Sequence, residues 1–317
     1  TFIMPNYQGV WSLSEQYQNA SGWPVPPFTG TAYAFFSAGF DFNTNTRYAQ
    51  IDQVTTSGGT ASDFGDLTVA RYAAGTCASL TRALWAGGSA GSVSDVIDFI
   101  TVSSAGNATD FGNLLSGNSG GVAGCNSGTR GVFGGGSGDV IQYITIASAG
   151  NALDFGNLAT SVDYTSSCSS STKGLWGGGD ASGNTNVIQS VTISTLGNAS
   201  DFGDLTRTTR DAAACSSSTR GLFAGGQSFS NTIDFVTIAT AGNASDFGDL
   251  LSGNQTLGAA ALNTEAVFGG GLLSGNVLSN TVQKVSFATQ GNTTDFGDLN
   301  NNQYYLSGCG NANGGTV

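Results

Sequence analysis

One short motif, Asp-Phe-Gly followed by Asp or Asn and then Leu, recurs six times in this chain of 317 residues. The copies begin at Asp63, Asp110, Asp154, Asp201, Asp246 and Asp295. Successive copies lie 47, 44, 47, 45 and 49 residues apart. A fixed period of this length is typical of repeat proteins, in which each unit is one small supersecondary structure. The repeat therefore constrains the fold more than any other feature of the sequence.

Each period contains the same series of segments between two copies of the motif. A stretch of small residues comes first, as in AAGTCAS, and a basic residue with an apolar-then-glycine run follows, as in RALWAGG and RGVFGGG. Segments such as VIDFITV and VIQYITI then alternate apolar and polar residues, which indicates β-strands. With the Asp-Phe-Gly segment, each unit contains four strands, named A to D here. Four antiparallel strands in about 40–50 residues are the size of a β-propeller blade.

The two ends of the chain complement each other. The N-terminal side supplies a B-like strand (residues 32–39), a C-like strand (48–55) and the first DFGDL, but no A strand. The C-terminal side supplies an isolated A-like segment, QYYLSGCG. The sequence thus predicts an all-β fold: a single closed β-propeller of six four-stranded blades, one of them completed by the C-terminal strand. Such closure removes exposed sheet edges.

The segment before the first repeat predicts a separate element. We assign residues 1–30 to a linker or docking segment and 31–317 to the propeller, because Trp11, Trp23 and all four prolines lie before the repeats, three of the prolines near the end of this segment. The start of the chain has no basic flank and no long apolar run, so we expect no signal peptide. Thr1 in place of an initiator Met suggests a processed chain or part of a longer one.

Charge and hydropathy exclude two classes of partner. The net charge is −12, and the nine basic residues are scattered, whereas binding to a nucleic-acid backbone needs clustered Lys and Arg. No run approaches the roughly 18 apolar residues of a membrane span. We therefore expect no nucleic-acid partner and no membrane insertion.

The residue inventory argues against catalysis. The chain has no His, so neither a Ser-His-Asp nor a Cys-His constellation can form. The six Asp-Phe-Gly copies lack every other protein-kinase signature, and no glycine run has the GxxxxGK(S/T) pattern. We predict that the protein is not an enzyme and holds no cofactor. A propeller with paired carboxylates of the glycosidase type is the third-ranked alternative.

The motif aspartates have two interpretations. Asp side chains at a strand–loop junction commonly accept hydrogen bonds from nearby backbone amides, while the Phe packs between sheets and the Gly permits a bend or a close backbone approach. The alternative is a calcium site at pairs such as Asp63 and Asp66, which would need several more oxygen ligands. We favour the structural interpretation and predict no metal.

Two further positions recur from unit to unit. Four cysteines lie five residues before a basic residue, and a fifth falls in the last A segment: Cys77, Cys125, Cys168, Cys215 and Cys309. We expect buried, unpaired packing residues rather than disulfides or a zinc site, in keeping with assembly in a reducing cytoplasm. The basic residues themselves predict a second ring, interrupted at Glu265, that either pairs with Asp residues of neighbouring blades or binds an anion: Arg82, Arg130, Lys173 and Arg220.

The loops differ from unit to unit where the motifs do not. The B–C and D–A loops vary in length and chemistry, and in a four-stranded blade they emerge on the same face. Variable loops on a rigid scaffold are where recognition usually occurs. Our candidate partner contacts in these loops are Arg71, Tyr72, Tyr164, Arg207, Arg210, Phe229, Leu272 and Leu273.

The Gly-Gly pair in strand B resembles kelch-type propeller repeats, although the Tyr and Trp positions usual in kelch are not regular here. The whole unit, with GNATDFGNL and TRGVFGGG, is similar to kelch-like repeats in virion proteins of tailed, especially marine, bacteriophages. This resemblance implies a tail-fibre, spike or related surface protein of the virion, assembled in the host cytoplasm. It also implies other virion proteins and a host surface receptor, a glycan among the candidates, as partners, with a homo-oligomer left open.

Two classes of binding function remain. The first is a phage virion module for host attachment or particle assembly, which rests on the resemblance and on the Ser/Thr/Asn-rich composition. The alternative is a non-viral extracellular lectin or adhesin of the same architecture.

Overall fold

The computed structural model describes residues 30–118, 121–136 and 138–312, and within these ranges it contains strands and turns but no helix. The predicted N-terminal segment, 1–30, lies outside the described residues except for Gly30. The all-β prediction is confirmed.

The strands form six four-stranded antiparallel sheets and two small ones. Sheet 1 consists of β1 (Tyr33–Ser37), β4 (Gln50–Thr55), β5 (Gly58–Asp66) and β29 (Ser307–Gly310). Sheet 2 consists of β6 (Gly75–Ala78), β7 (Arg82–Ala86), β8 (Ser94–Thr101) and β9 (Thr109–Asn118). Sheet 3 consists of β10 (Ala123–Asn126), β11 (Arg130–Gly134), β12 (Val140–Thr145) and β13 (Leu153–Asn157).

The remaining sheets continue along the chain. Sheet 4 consists of β14 (Ser166–Ser169), β15 (Lys173–Gly177), β16 (Val187–Thr192) and β17 (Ser200–Asp204). Sheet 5 consists of β18 (Ala213–Ser216), β19 (Arg220–Ala224), β20 (Thr232–Thr237) and β21 (Ser245–Asp249). Sheet 6 consists of β23 (Gly258–Leu262), β24 (Glu265–Gly269), β27 (Thr281–Ser286) and β28 (Thr294–Asp298). The small sheets consist of β2 (Phe40–Asp41) with β3 (Thr46–Arg47), and of β22 (Asn254–Gln255), β25 (Leu272–Leu273) and β26 (Val277–Leu278).

The A strands of neighbouring sheets lie side by side. Strand β6 contacts β10, β10 contacts β14, β14 contacts β18, and β18 contacts β23. The C-terminal strand β29 contacts both β23 and β6, and it pairs with β1, with Phe35 opposite Cys309. Asn311 reinforces this junction, because its side chain accepts a hydrogen bond from the Tyr33 amide (2.7 Å) and donates one to the Thr31 carbonyl (3.1 Å). The arrangement is consistent with a β-propeller.

The Asp-Phe-Gly motif bends the D strand and joins it to the next sheet. The C–D pairing of every four-stranded sheet shifts register at the motif Phe; in sheet 4, Gly203 opposes Ile188 while Asp201 opposes Gln189. This irregularity lets Phe202, only 3% exposed, enter the core. The Asn243 side chain of sheet 5 accepts a hydrogen bond from the Asp204 amide (3.1 Å). The repeated GN dipeptide and the repeated motif are thus two halves of one contact between sheets.

The apolar-then-glycine run also has an intersheet role. Strand B carries a fully buried aromatic residue at the same position in each sheet: Phe36, Trp85, Phe133, Trp176, Phe223 and Phe268. The small residue of the preceding sheet provides the space for this ring, since a Cβ at Gly177 would lie 2.7 Å from the Phe223 ring. Alanine replaces glycine at some of these positions, as at Ala86 beside Phe133. The run is therefore a packing pattern that continues from sheet to sheet.

A buried polar residue in each C strand holds the D–A loop that leads into the same sheet. The six residues are Asp52, Asp98, Gln142, Gln189, Asp234 and Gln283. Where this residue is Asp, a side chain just after the DFGDL motif donates to it, as Thr68 does to Asp98 (2.5 Å). Where it is Gln, it accepts from a loop amide, as from Leu115 to Gln142 (2.7 Å). These anchors fix the loops from which the candidate site is built.

Candidate binding site on the loop face

The D–A loop that enters a sheet lies against the B–C loop of the same sheet. Tyr72 pairs with Ser89 in sheet 2, and Asp163 pairs with Asp180 in sheet 4. Strands β22 and β25 make the corresponding pair in sheet 6. The prediction that both kinds of loop share a face is confirmed, and we call this surface the loop face. The A–B and C–D turns lie at the other ends of the strands.

Six equivalent residues meet at the centre of the loop face, each two positions before an A strand. These mouth residues are Ala73, Gly121, Tyr164, Asp211, Thr256 and Tyr305. Apart from Gly121 they are non-glycine residues held at positive φ, with values from 52° to 59°. Such a conformation costs about 1 kcal/mol or more, and it occurs mainly where the surrounding structure demands a defined side-chain direction. The mouth residues line the entrance of a cavity of about 160 Å³.

Aromatic rings form a continuous cluster around this entrance. We call these residues the aromatic platform: Phe40, Phe42, Tyr72, Tyr164, Tyr304 and Tyr305. Tyr305 is the central ring, with centroids 4.8 Å from Tyr304, 5.9 Å from Tyr72 and 6.0 Å from Tyr164. Phe42 is the most exposed member, at 36%. Clustered, partly exposed rings on a rigid scaffold are typical of binding surfaces.

Arg47 lies on one side of the platform. Its guanidinium is 5.5 Å from the centroid of Phe40 and 5.9 Å from that of Tyr72, both within the range of a cation–π interaction. The neighbouring acid Asp41 is engaged elsewhere, since its carboxylate accepts hydrogen bonds from the Asn43 amide (2.8 Å) and the Thr44 hydroxyl (2.9 Å).

Acidic residues collect on the other side of the mouth. Arg210 forms an ion pair with Asp180 (2.5 Å), and its Nε lies 3.6 Å from the Asp211 carboxylate. Burial raises the pKa of the Asp211 carboxyl to about 6, and the opposing effects of Arg210 and of a Tyr305 hydrogen bond are smaller. Oδ1 of Asp211 is buried and has no hydrogen-bond partner among the described residues. The two sides of the mouth therefore differ in charge.

The cavity below the mouth is walled by the small residues of the A strands. Thr76 donates to the Gly308 carbonyl (2.7 Å) and Ser167 to that of Gly124 (2.8 Å), so hydroxyls join neighbouring A strands. The five cysteines also lie on these strands and are buried and unpaired, which confirms their predicted packing role. Burial raises the pKa of each thiol above its ordinary value. Asp211 is the one charged side chain that lines the described cavity.

Two of the predicted partner contacts anchor loops instead. Arg71 is fully buried, where its guanidinium pairs with Asp98 (2.8 Å) and donates to the Trp85 carbonyl (3.0 Å). The interpretation of Arg71 as an exposed contact is therefore wrong, because the side chain folds inward to meet the buried C-strand carboxylate. Arg207 makes the equivalent ion pair with Asp234 (3.0 Å) and is 22% exposed.

The other predicted contacts divide between the mouth and the rim of the loop face. Tyr72 and Tyr164 belong to the aromatic platform, and Arg210 stacks at 5.9 Å on the Tyr164 ring. On the rim, Phe229 and Leu273 are half-buried in B–C loops. Leu272 is only 8% exposed because β25 turns it inward, so its prediction as a partner contact is wrong.

The predicted basic ring joins sheets across the opposite face. Each of its cations donates to a backbone carbonyl of the next sheet: Arg82 to Ile146 (2.8 Å), Arg130 to Ile193 (2.7 Å), Lys173 to Ala239 (3.0 Å) and Arg220 to Phe287 (2.7 Å). The expected pairing of these cations with neighbouring Asp residues is wrong, since carbonyl oxygens occupy the positions within reach. Glu265 pairs with Lys284 in its own sheet (3.0 Å). Anion binding by this ring stays a prediction.

In sheets 1 and 2 the motif aspartate accepts a hydrogen bond from a nearby backbone amide. Asp63 accepts from the Gly65 amide (3.0 Å) and Asp110 from the Gly112 amide (3.2 Å), as the structural interpretation predicts. Among the described residues no group of three or more acidic, Cys or His side chains is placed to hold a metal ion.

Several residues of the candidate site were not predicted from the sequence. Phe40, Phe42 and Arg47 lie in the B–C loop of the first, incomplete unit, and Tyr304 and Tyr305 lie in the isolated C-terminal segment. The signal was the presence of aromatic residues at positions whose chemistry varies from unit to unit; the positions equivalent to Phe40, for example, carry Ser89, Asp180, Gln227 and Leu272. It was hidden because these residues are far apart in sequence and meet only where the two ends of the chain pair.

No protein-family model matches this chain, and no curated protein has significant sequence similarity to it. Within the described residues, no helix is long and apolar enough to span a membrane.

Proposed function

We propose that this chain is a closed six-bladed β-propeller that acts as a binding module rather than as an enzyme. The unbroken series of contacts from β6 to β23, completed by β29, supports closure of the six sheets into a ring. Pairing of β29 with β1 brings both ends of the repeat region into one blade. In this arrangement the loop face surrounds the mouth of a central channel.

The difference between the two faces carries the binding role. On the opposite face, the basic residues and the GN turns engage the backbone of other sheets, and their chemistry repeats from unit to unit. On the loop face the chemistry varies from unit to unit: Arg47 and Asp211 occur once each, and the platform tyrosines occur only in some units. Non-repeating aromatic and charged groups, held by a repeating scaffold, are what a recognition surface requires.

We further propose that the module belongs to the virion surface of a tailed bacteriophage, as part of a tail fibre, spike or similar component. The repeat resemblance supports this assignment, as does the low content of charged residues, 9%, beside abundant Ser, Thr and Asn. Its partners in this role are other virion proteins or a receptor on the host surface. The corresponding functions are host attachment and particle assembly.

The test asks whether the chain is present in purified particles and whether the purified chain competes with those particles for host cells. Mass spectrometry of purified particles should detect the chain, and the purified chain should slow adsorption of those particles to host cells. Tyr72→Ala on the loop face should weaken the competition about tenfold or more, in the range of an interface aromatic truncation. Leu196→Ala, an exposed change in a C–D turn, should leave it intact. Absence from particles, or equal loss for both variants, would contradict the proposal.

A lectin or adhesin outside any virus is the second candidate function. The aromatic platform favours it, because stacked rings beside polar groups suit a sugar ligand as well as a protein one. Secretion of the chain from cells that release no particles, together with binding of the purified chain to cell-surface polysaccharide, would establish this alternative.

A further inference from the structure

Arg47 differs from every other basic residue of the chain. All nine Lys and Arg residues lie within the described ranges, and eight of them donate hydrogen bonds or form ion pairs there. Arg47 makes neither with any described residue, and its buried Nε has no hydrogen-bond partner there. In a protein with a net charge of −12, acidic partners are abundant, so an unpaired guanidinium stands out.

The guanidinium is nevertheless held in place. It lies over the rings of Phe40 and Tyr72, and Gly91 of the next sheet's B–C loop lies beside it. Because β3 pairs with β2, the backbone of Arg47 is fixed opposite Phe40. Packing has therefore already restricted this long side chain, and a ligand that pairs with it loses little additional rotamer entropy.

The chemistry of the site points to an anion carried on a flat, partly apolar body. A guanidinium offers parallel N–H donors that match a carboxylate in a bidentate pair. Beside it, Phe42 and Tyr304 contact edge to face at 5.6 Å, and Phe42 is 36% exposed. A pyranose ring presents an apolar C–H face that can lie on such rings, while its hydroxyls remain available to the tyrosine O–H groups.

A peptide ligand is the less suitable class. An extended peptide adds along a free strand edge, but at this site β2 is paired on both sides, with β3 and with Tyr304, and β3 is only two residues long. The outer side of Phe40 is also occupied, since its amide donates to the Tyr304 carbonyl (2.9 Å). A two-residue edge offers too few backbone groups to hold an extended peptide, so side chains provide most of the recognition at this site.

We propose that Arg47 and the adjoining part of the aromatic platform bind an acidic sugar unit, with the sugar's carboxylate paired to the Arg47 guanidinium. The sugar ring then lies on the aromatic residues beside it, Phe42, Tyr72 and Tyr304. This inference rests on the proposed binding function and names its ligand class.

Titration calorimetry with three probes tests the proposal. The probes are tetragalacturonate, the same oligosaccharide with its carboxyl groups reduced to alcohols, and acetate. We expect tetragalacturonate to bind about tenfold to a hundredfold more tightly than the reduced form, the range of a charge-assisted hydrogen-bonded pair. Acetate should bind far more weakly than tetragalacturonate, because acetate has a carboxylate but no sugar ring. Equal binding of the acidic and reduced oligosaccharides, or no binding of tetragalacturonate, would overturn the proposal.

Substitutions test whether the preference for the acidic oligosaccharide depends on Arg47. Arg47→Gln should abolish the preference for the acidic oligosaccharide, and Arg47→Lys, which keeps the charge but loses the fork, should reduce it partially. Arg82→Gln is the matched control, because it removes the same charge from a guanidinium that also stacks on a ring, 4.5 Å from Phe99, on the opposite face. The control should retain the preference. Equal loss in Arg82→Gln would assign the effect to net charge and overturn the site.

The outcome is separable from that of the proposed function. If the purified chain blocks particle adsorption but does not distinguish the two oligosaccharides, the acidic-sugar site is wrong and the binding module stands. If it distinguishes them but is absent from particles, the site stands and the virion assignment is wrong.

Discussion

At the scale of single residues, the motif glycine has a defined steric task. Gly203 lies at φ +148°, and a Cβ built there would lie 2.5 Å from the carbonyl carbon of Gly242 in the next sheet. Backbone cannot move aside as a flexible side chain can, so a larger residue must separate the two sheets locally. Gly242 faces open space, with nothing within 4 Å of its Cβ position.

This asymmetry gives a matched pair of substitutions across one contact. Gly203→Ala should lower the free energy of unfolding by about 2 kcal/mol or more, through overpacking and a strained φ. Gly242→Ala should change it by less than about 1 kcal/mol. Denaturant unfolding of both variants measures the difference, and equal effects would show that the two backbones are not in contact.

Asp211 at the mouth predicts a pH dependence of stability. The unfolded carboxyl titrates near 3.9, and burial raises the folded pKa to about 6. The folded state then binds more protons between these values, so the free energy of unfolding falls as pH rises from about 4 to 6 and is level above. The loss is at most about 3 kcal/mol.

Substitution isolates this contribution from that of other carboxyls. Asp211→Asn should be increasingly favoured over the wild type as pH rises from 4 to 6, and thermal unfolding across this range measures the trend. Asp139→Asn, which removes a carboxyl at an exposed loop position, is the matched control. An Asp211→Asn difference that does not vary with pH would mean that this carboxyl is solvated.

At the scale of elements, the C-strand anchors explain how the loops are held. Arg71 and Asp98 are both fully buried, so removal of one partner leaves an unpaired charge in the core. Arg71→Met should therefore lower the free energy of unfolding by about 3–5 kcal/mol. Arg71→Met with Asp98→Asn should recover much of it, because Thr68 can still donate to the amide oxygen. Arg207→Met should cost less, since Arg207 is 22% exposed. Denaturant titration of the three variants checks this order. If Arg71 had only an apolar packing role, Arg71→Met would be the mildest change and the double variant would not recover stability.

The same elements show what the sequence could predict. Strands, their order and the pairing of the chain ends follow from a repeat that occurs six times, because six copies average out local irregularity. The burial of single polar residues in strand C could not be predicted from the repeat. Alternation of apolar and polar residues in strand C gives no sign that Asp98 and Gln142 are buried; both lie at the register shift opposite the motif Phe and contact the D–A loops.

The candidate site was the least predictable part for a physical reason. The tyrosines Tyr72 and Tyr164 could be chosen from variable loops, but Arg71 could not be distinguished from a surface arginine without its buried partner. Phe40, Arg47 and Tyr305 come from the two ends of the repeat region. Their proximity depends on the closing pair of strands, which a reading of each unit separately does not reveal.

At the scale of the whole molecule, β29 is the element on which the proposed ring depends. It covers the edge of β1, and its neighbour Leu306 packs in the same core as Phe36. A chain that ends at Leu306 should lose cooperative unfolding, because one blade lacks its A strand and the buried edge of β1 is exposed. A chain that ends at Ala312 keeps β29 and Asn311 and should unfold as the full chain does. Calorimetry distinguishes the two, and a cooperative transition in the shorter chain would contradict closure through β29.

The proposed architecture also places all non-repeating chemistry on one side of the molecule. The most direct measurement is an electron-microscopy map of the intact particle, with the chain located in the density. We predict six blades around a central channel, with contacts to a host receptor or to a neighbouring virion protein made through the loop face around Tyr72 and Tyr305. A map in which the chain contacts its partners only through the C–D turns, with the loop face uncovered, would contradict the account.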